Sequence, residues 1–229
     1  MTDKNNNLDL DATLATTTHK IEDFYNKNKK NINTALIAVI VIAGGYFGLK
    51  KFYFEPKEQE AQIEIFKAQR AFDVDSFSLA LNGNAKFKGF KDIAEEYSGT
   101  AVGNLAHYYS GICLLRTGDF AGAIEMLEDF STDNVLVGPL AAGLLGDAYV
   151  ESGDIEKGAK QYLKAARMNK NKSTSPVFYK KAGIAFEELK KYDEAIDAYN
   201  SIKNDFSDAQ ENSDIEKYIA RATTLKEGR

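Results

Sequence analysis

Residues Tyr179 to Ile202 read YKKAGIAFEELKKYDEAIDAYNSI, and they decide the fold. Small and apolar residues recur at three- and four-residue intervals on both sides of the Lys190-Lys191 break. Ala182, Gly183 and Phe186 precede it; Ala195, Tyr199 and Ile202 follow it. That is the period of an amphipathic helix, read twice, so the stretch is two helices joined by a tight turn. Two other stretches align with it: HYYSGICLLRTGDFAGAIEMLEDF from His107 and AGLLGDAYVESGDIEKGAKQYLKA from Ala142. Gly111, Gly146 and Gly183 are 35 and 37 residues apart. Ala123, Gly158 and Ala195 keep those spacings, and so do Leu127, Tyr162 and Tyr199.

The repeated residue types have physical roles. Small residues mark places where two helices cross closely, an Ala leaving a gap for a neighbour's ring. Gly118 and Gly153 supply the left-handed backbone that ends a first helix, and Asp119 and Asp154 cap the second. One such pair cannot bury its own apolar face, so three or more must stack. The pattern resembles the tetratricopeptide repeat, a helix–turn–helix unit of about 34 residues. Tyr179, Ala182, Gly183, Phe186, Ala195 and Tyr199 carry the resemblance best, while the closing Pro of that pattern is absent from all three copies. The resemblance implies an all-α solenoid.

Upstream, Pro56 to Phe72 is expected to be a long helix. The segment from Ala71 to Thr100 reads as a degenerate repeat, with Asn82-Gly83-Asn84 as a turn insertion and Phe90, Ile93, Ala94 and Tyr97 on one apolar face. Downstream, Asp208 to Lys226 places Ile215, Tyr218, Ile219 and Leu225 on one side, as a terminal capping helix does.

Residues Asn31 to Leu49 carry no charge over 19 positions. From Ile32 onward they span roughly 27 Å as a helix, close to the thickness of a bilayer core. Nine are Leu, Ile, Val or Phe, which together favour insertion by about 3 to 5 kcal/mol. Lys27, Lys29 and Lys30 flank one end; Lys50 and Lys51 flank the other, followed by Phe52, Tyr53 and Phe54. The run sits too far from the start for a signal peptide and no small-x-small cleavage site follows it. The expected organisation is a polar tail over 1–30, flexible apart from one short helix near Lys20 to Tyr25, a transmembrane anchor over 31–54, and the solenoid over 55–229. Four lysines before the run against three after it place the N-terminus in the cytoplasm. Gly44 and Gly48 form a GxxxG that offers a face for homo-oligomer formation.

This layout is similar to single-span bacterial inner-membrane proteins with a periplasmic tetratricopeptide domain, the YfgM-like ancillary subunits of the Sec translocon. The anchor, the helix after it, DSFSLALNG and TAVGNLAHYYSGICLLRTGDF carry the likeness. It implies a bacterial inner-membrane protein with a periplasmic C-terminal domain. Its partners would be translocon subunits, chaperones or client segments, with the chain acting as adaptor or holdase. The alternative is a purely structural subunit of an envelope complex with no client groove.

Composition narrows the chemistry. Net charge is −5 over 229 residues, against the basic excess of a nucleic-acid binder, so no nucleic acid is expected. A single Cys, Cys113, forbids an intrachain disulfide, and with two His it makes a poor zinc set. His107 and Cys113 read as core residues. Glu95-Glu96 and Glu187-Glu188 point about 100° apart on a helix and read as solvated faces rather than acid–base couples. No GxxxxGK[ST], HExxH or GxSxG occurs, so neither an enzyme nor a cofactor is expected. The informative surface is the wall of first helices. On the resemblance it comprises Leu105, Tyr108, Ile112 and Leu115 of the first copy, Leu140, Asp147 and Glu151 of the second, and Val177, Lys180, Ile184 and Glu187 of the third.

Overall fold

The computed structural model describes the backbone of residues 4–228 and the side chains of residues 25–228. The start of the expected tail, residues 1–3, and Arg229 lie outside the described residues. The chain divides into two compact units, Met1–Pro56 and Lys57–Arg229.

The first unit contains helix α1, Lys4–Leu49, and a π-helical turn, Lys50–Phe54. The tail was expected to be flexible apart from one short helix; it is helical from Lys4 onward instead, continuous with the apolar run. The helical stretch includes an 18-residue window of mean hydropathy 2.0, none of it buried. It is long and apolar enough to cross a membrane, a property that signal sequences share. A Cβ added at Gly44 or Gly48 would meet nothing within 4 Å.

The second unit starts within α2, Glu55–Asp73, which buries Ala61, Ile65, Ala68 and Ala71. Next come α3, Phe77–Asn82, and α4, Phe90–Glu96. The insertion between them is a two-stranded antiparallel hairpin, β1 Gly83–Asn84 and β2 Phe87–Lys88, rather than the simple turn that its sequence suggests. Gly83 sits at φ 66°, and a side chain there would strike the backbone of Phe87 and Gly89. Three helix pairs follow: α5 Ala101–Thr117 with α6 Phe120–Asp129, α7 Val137–Glu151 with α8 Ile155–Met168, and α9 Ser175–Glu188 with α10 Tyr192–Asp205. A 3₁₀ turn, Gln210–Asp214, leads to α11, Ile215–Lys226, so the capping helix is shorter than the stretch Asp208 to Lys226 that its sequence suggested. The unit is an all-α solenoid apart from the small hairpin.

The three inter-helix turns show what the sequence repeats were for. Gly118 and Gly153 adopt φ 84° and 90°, and Asp119 and Asp154 accept hydrogen bonds from the backbone N–H of Gly122 and Lys157 at 3.0 and 3.1 Å. The third turn has the same backbone without the same residues. Lys190 is held at φ 58°, and Lys191 occupies the N-cap position with no side-chain cap.

Within each pair the gap for the ring is made by the helix glycine, not by the Ala one helix later. A Cβ on Gly146 would lie 2.6 Å from Cδ1 of Tyr162, one on Gly111 would lie 2.5 Å from Cγ of Leu127, and one on Gly183 would overlap the Tyr199 ring. Ala123 and Ala195 are fully buried beside these contacts. The core is built in overlapping sections. Phe90, Ile93 and Tyr97 centre the N-terminal section; Tyr179, Phe186, Tyr199, Ile202 and Phe206 centre the C-terminal one; Leu127, Leu145 and Tyr149 lie between.

Candidate functional site

First helices of three successive pairs, α5, α7 and α9, contribute to one cavity of about 620 Å³. Ile112, Leu115 and Leu144 give it apolar surface, with Phe120 from the start of α6 and Tyr162 from α8. Its polar groups are Arg116, Asp147, Glu151 and Lys181. A smaller hollow of about 130 Å³ shares Tyr162 and Lys181 and adds Val150, Ile184 and Glu188.

The charges are unequally committed. Asp147 Oδ1 accepts from the Tyr162 hydroxyl at 2.6 Å and from Lys181 Nζ at 2.7 Å. Burial and then the Asp147 carboxylate push the Tyr162 hydroxyl well above its ordinary pKa, so it stays a donor. Arg116 lies over the Phe77 ring at 5.9 Å, and neither it nor Glu151 has an ion-pair partner among the described residues. The cavity therefore presents apolar anchoring surface between one open cation and one open carboxylate. That combination suits a polypeptide segment, which can place an apolar side chain on the anchoring surface and polar or charged groups on Arg116 and Glu151.

Of the wall residues named from sequence, Ile112, Leu115, Asp147 and Glu151 come together in the main cavity and Ile184 in the adjoining hollow. Leu105 packs against the N-terminal core section. Tyr108 is half-buried outside both hollows, its ring centroid 5.1 Å from that of Phe130 and 5.8 Å from that of Tyr109, and burial raises its pKa. Leu140 is 40% exposed and Val177 half-buried, and neither lines a hollow described above. Lys180 donates to both Asp214 oxygens at 2.8 and 3.0 Å and lies 4.5 Å over the Tyr218 ring.

Glu187 departs from the solvated face expected for the Glu187-Glu188 pair. Its side chain is 9% exposed and binds the Tyr199 hydroxyl and Arg221. The reason is the last helix: α11 stacks on the third pair and covers wall positions that an unfinished stack would leave open. Glu96 is paired too, with Lys88 at 2.7 Å. Cys113 is fully buried and its thiol is pushed up to about 12 by burial, so it is inert as expected of a core residue. His107 is half-buried rather than fully enclosed, with a buried Nδ1 that lacks a partner among the described residues.

Arg116, Phe120, Leu144, Tyr162 and Lys181 were not singled out from sequence as wall residues. One signal pointed to Lys181: it lies 34 residues after Asp147. Lys180 and Asp214, and Glu187 and Arg221, keep the same separation. In the repeat alignment Asp147 corresponds to Ile184, so Lys181 lies about one helical turn before the equivalent position of the next unit, within reach of the Asp147 carboxylate.

Residues 144–211 match the family model of the tetratricopeptide repeat. The match takes in the C-terminal half of α7, all of α8, α9 and α10, and the first residues of the 3₁₀ turn, so it lies on the second and third helix pairs. The first pair lies outside it yet repeats the glycine-and-aspartate turn and the small-residue crossing, so the same helix-pair architecture continues upstream of the match. No curated protein matches the chain. Tetratricopeptide repeats generally mediate protein–protein interaction, and stacked repeats do so with the extended surface that their first helices form.

Proposed function

We propose that this chain is a membrane-anchored protein-interaction module whose tetratricopeptide cavity holds a segment of a partner polypeptide. The observation that carries the reading is the cavity of about 620 Å³ where α5, α7 and α9 converge, with apolar surface flanked by the uncommitted Arg116 and Glu151. On this reading the chain binds and does not catalyse, and it needs no cofactor. The apolar run in α1 is the anchor, with the N-terminus in the cytoplasm and the solenoid across the membrane. The layout favours an inner-membrane adaptor or holdase beside protein-translocation machinery, receiving emerging client segments or chaperones.

Two measurements test it. A photoreactive amino acid at Leu144 or Ile112, in the full chain in native membranes, should crosslink to a translocating polypeptide or chaperone. Crosslinks that arise only from the outer edges, with none from the cavity, would favour the purely structural subunit instead. A cysteine added near the C-terminus should react with a membrane-impermeant thiol reagent from the outer side alone; reaction only after membrane disruption reverses the topology. Buried Cys113 contributes no background to that assay.

A further inference from the structure

A second face, separate from the first-helix cavity, has the features of a docking site. Helix α6 spans 10 residues where α8 and α10 span 14. Its early end leaves a cavity of about 390 Å³ over the N-terminal half of α7, floored by Gly138, Ala141 and Ala142, residues too small to fill it. The loop after α6 does not close the gap because it is fixed at both ends. Asn104 donates to Ser131 O at 2.8 Å and accepts from Ser131 N at 3.0 Å, and Asn169 donates to Val135 O at 3.0 Å. Gln161 lines the cavity, and its buried side-chain oxygen has no hydrogen-bond partner among the described residues. A buried acceptor without a donor has lost its water without replacement, a penalty that a bound N–H group removes.

The α8 side of the rim is basic; on the opposite side Glu128 lines the cavity, its carboxylate accepting from the Tyr149 hydroxyl at 2.5 Å. From Lys157 to Phe186 the sequence has eight Lys and Arg and no acidic residue, within a chain of net charge −5. Five of the eight are neutralised by Asp154, Glu156, Asp208, Asp214 and Asp147. Lys164, Arg167 and Lys170 have no carboxylate partner among the described residues, and Lys164 lines the cavity itself. Beside them Val135, Leu136 and Met168 are 60%, 56% and 42% exposed.

We propose that this face, between α6 and α8, binds an acidic protein segment that places one large apolar side chain in the cavity. Its carboxylates meet Lys164 and Arg167, and one of its backbone N–H groups donates to Gln161. An open-mouthed cavity with an orphan acceptor favours a peptide over an anionic lipid surface, which would use the cations and the exposed Val135 and Leu136 but leave the cavity and Gln161 unfilled.

The test uses the full chain in zwitterionic nanodiscs and a fluorescein-labelled peptide with a Leu-Phe pair flanked by glutamates, read by anisotropy. Binding should weaken about tenfold or more in the Lys164→Glu/Arg167→Glu variant. It should also weaken when the Leu-Phe pair is replaced by Ala, and in Ala141→Leu, which fills the cavity. The charge-matched control Lys86→Glu/Lys91→Glu, on the hairpin and α4, should bind as the parent does. Absence of binding, or equal binding by Lys164→Glu/Arg167→Glu, overturns the proposal. An equal loss in the control does so too, since that loss would report net charge alone. Displacement of the peptide when phosphatidylglycerol is added to the nanodisc would assign the cations to lipid headgroups and likewise overturn it.

Discussion

Glu187 on α9 and Arg221 on α11 form a two-point ion pair, Nε to Oε2 at 2.8 Å and Nη2 to Oε1 at 3.0 Å. The Tyr199 hydroxyl from α10 donates to the same carboxylate at 2.6 Å. Asp147 on α7 repeats the arrangement one unit earlier, with Tyr162 from α8 and Lys181 from α9. In both, a carboxylate on a first helix is held by the hydroxyl of its own pair and by a cation one repeat later, which ties successive units at a fixed register.

Glu187→Ala should therefore destabilise the array by about 1–3 kcal/mol, because it leaves the Tyr199 hydroxyl and the inner side of Arg221 without an acceptor. Arg221→Ala should cost less, since its side chain is 52% exposed and water replaces it. Urea denaturation of the two single variants and the double variant measures the coupling; additive effects would show that the pair does not join the repeats.

Gly146→Ala should destabilise although Ala is the better helix former. The propensity gain is at most about 1 kcal/mol. The new methyl would sit 2.6 Å from the Tyr162 ring and 3.2 Å from the carbonyl of Gly158, and overpacking of this kind costs about 1–3 kcal/mol. A raised thermal midpoint would mean that the two helices can separate without loss.

The third turn can be improved. Lys190 holds a left-handed backbone that costs an L-residue about 1–2 kcal/mol, and the two earlier turns use Gly there. Lys190→Gly should stabilise by about 0.5–1 kcal/mol after the extra chain entropy of Gly is counted. Lys191→Asp should add a side-chain cap contributing about 1 kcal/mol, less the surface ion pair that Lys191 makes with Glu156 at 3.0 Å. Calorimetry of both variants checks the sign.

Tyr108→Ala distinguishes packing from contact with a partner. With its ring against Phe130 and Tyr109, the substitution should cost about 2 kcal/mol or more of stability. Capture of a peptide by the folded fraction should be unaffected. Parent-like stability with lost capture would return Tyr108 to the binding wall.

Acid should loosen the last helix. The Lys180 ammonium beside Asp214 holds its carboxyl below the ordinary value of 3.8. A depressed folded-state pKa stabilises fully above the unfolded value and is lost as pH falls through the folded one. Protection of α11 amides from hydrogen exchange should thus hold above about pH 4 and decline below it. Asp214→Asn should lower protection at neutral pH and flatten the decline; an unchanged acid profile would remove this pair as its cause.

The period of three and four residues, the turn glycines Gly118 and Gly153, the caps Asp119 and Asp154, and the spacing of Gly111, Gly146 and Gly183 follow from the sequence, because each acts within one helix pair; that these glycines and not the Ala residues leave room for the facing side chain came from the packing. The turn backbone at Lys190 followed by alignment, even though its residue type gives no hint of it. What the tertiary structure decided is which wall residues remain open. Ile112, Leu115 and Glu151 face the cavity, while Lys180 and Glu187, which share their periodicity, are covered by α11. Periodicity fixes the face a side chain takes on its own helix. Whether that face meets water or a neighbour depends on the next element in the stack, and only packing across repeats determines that.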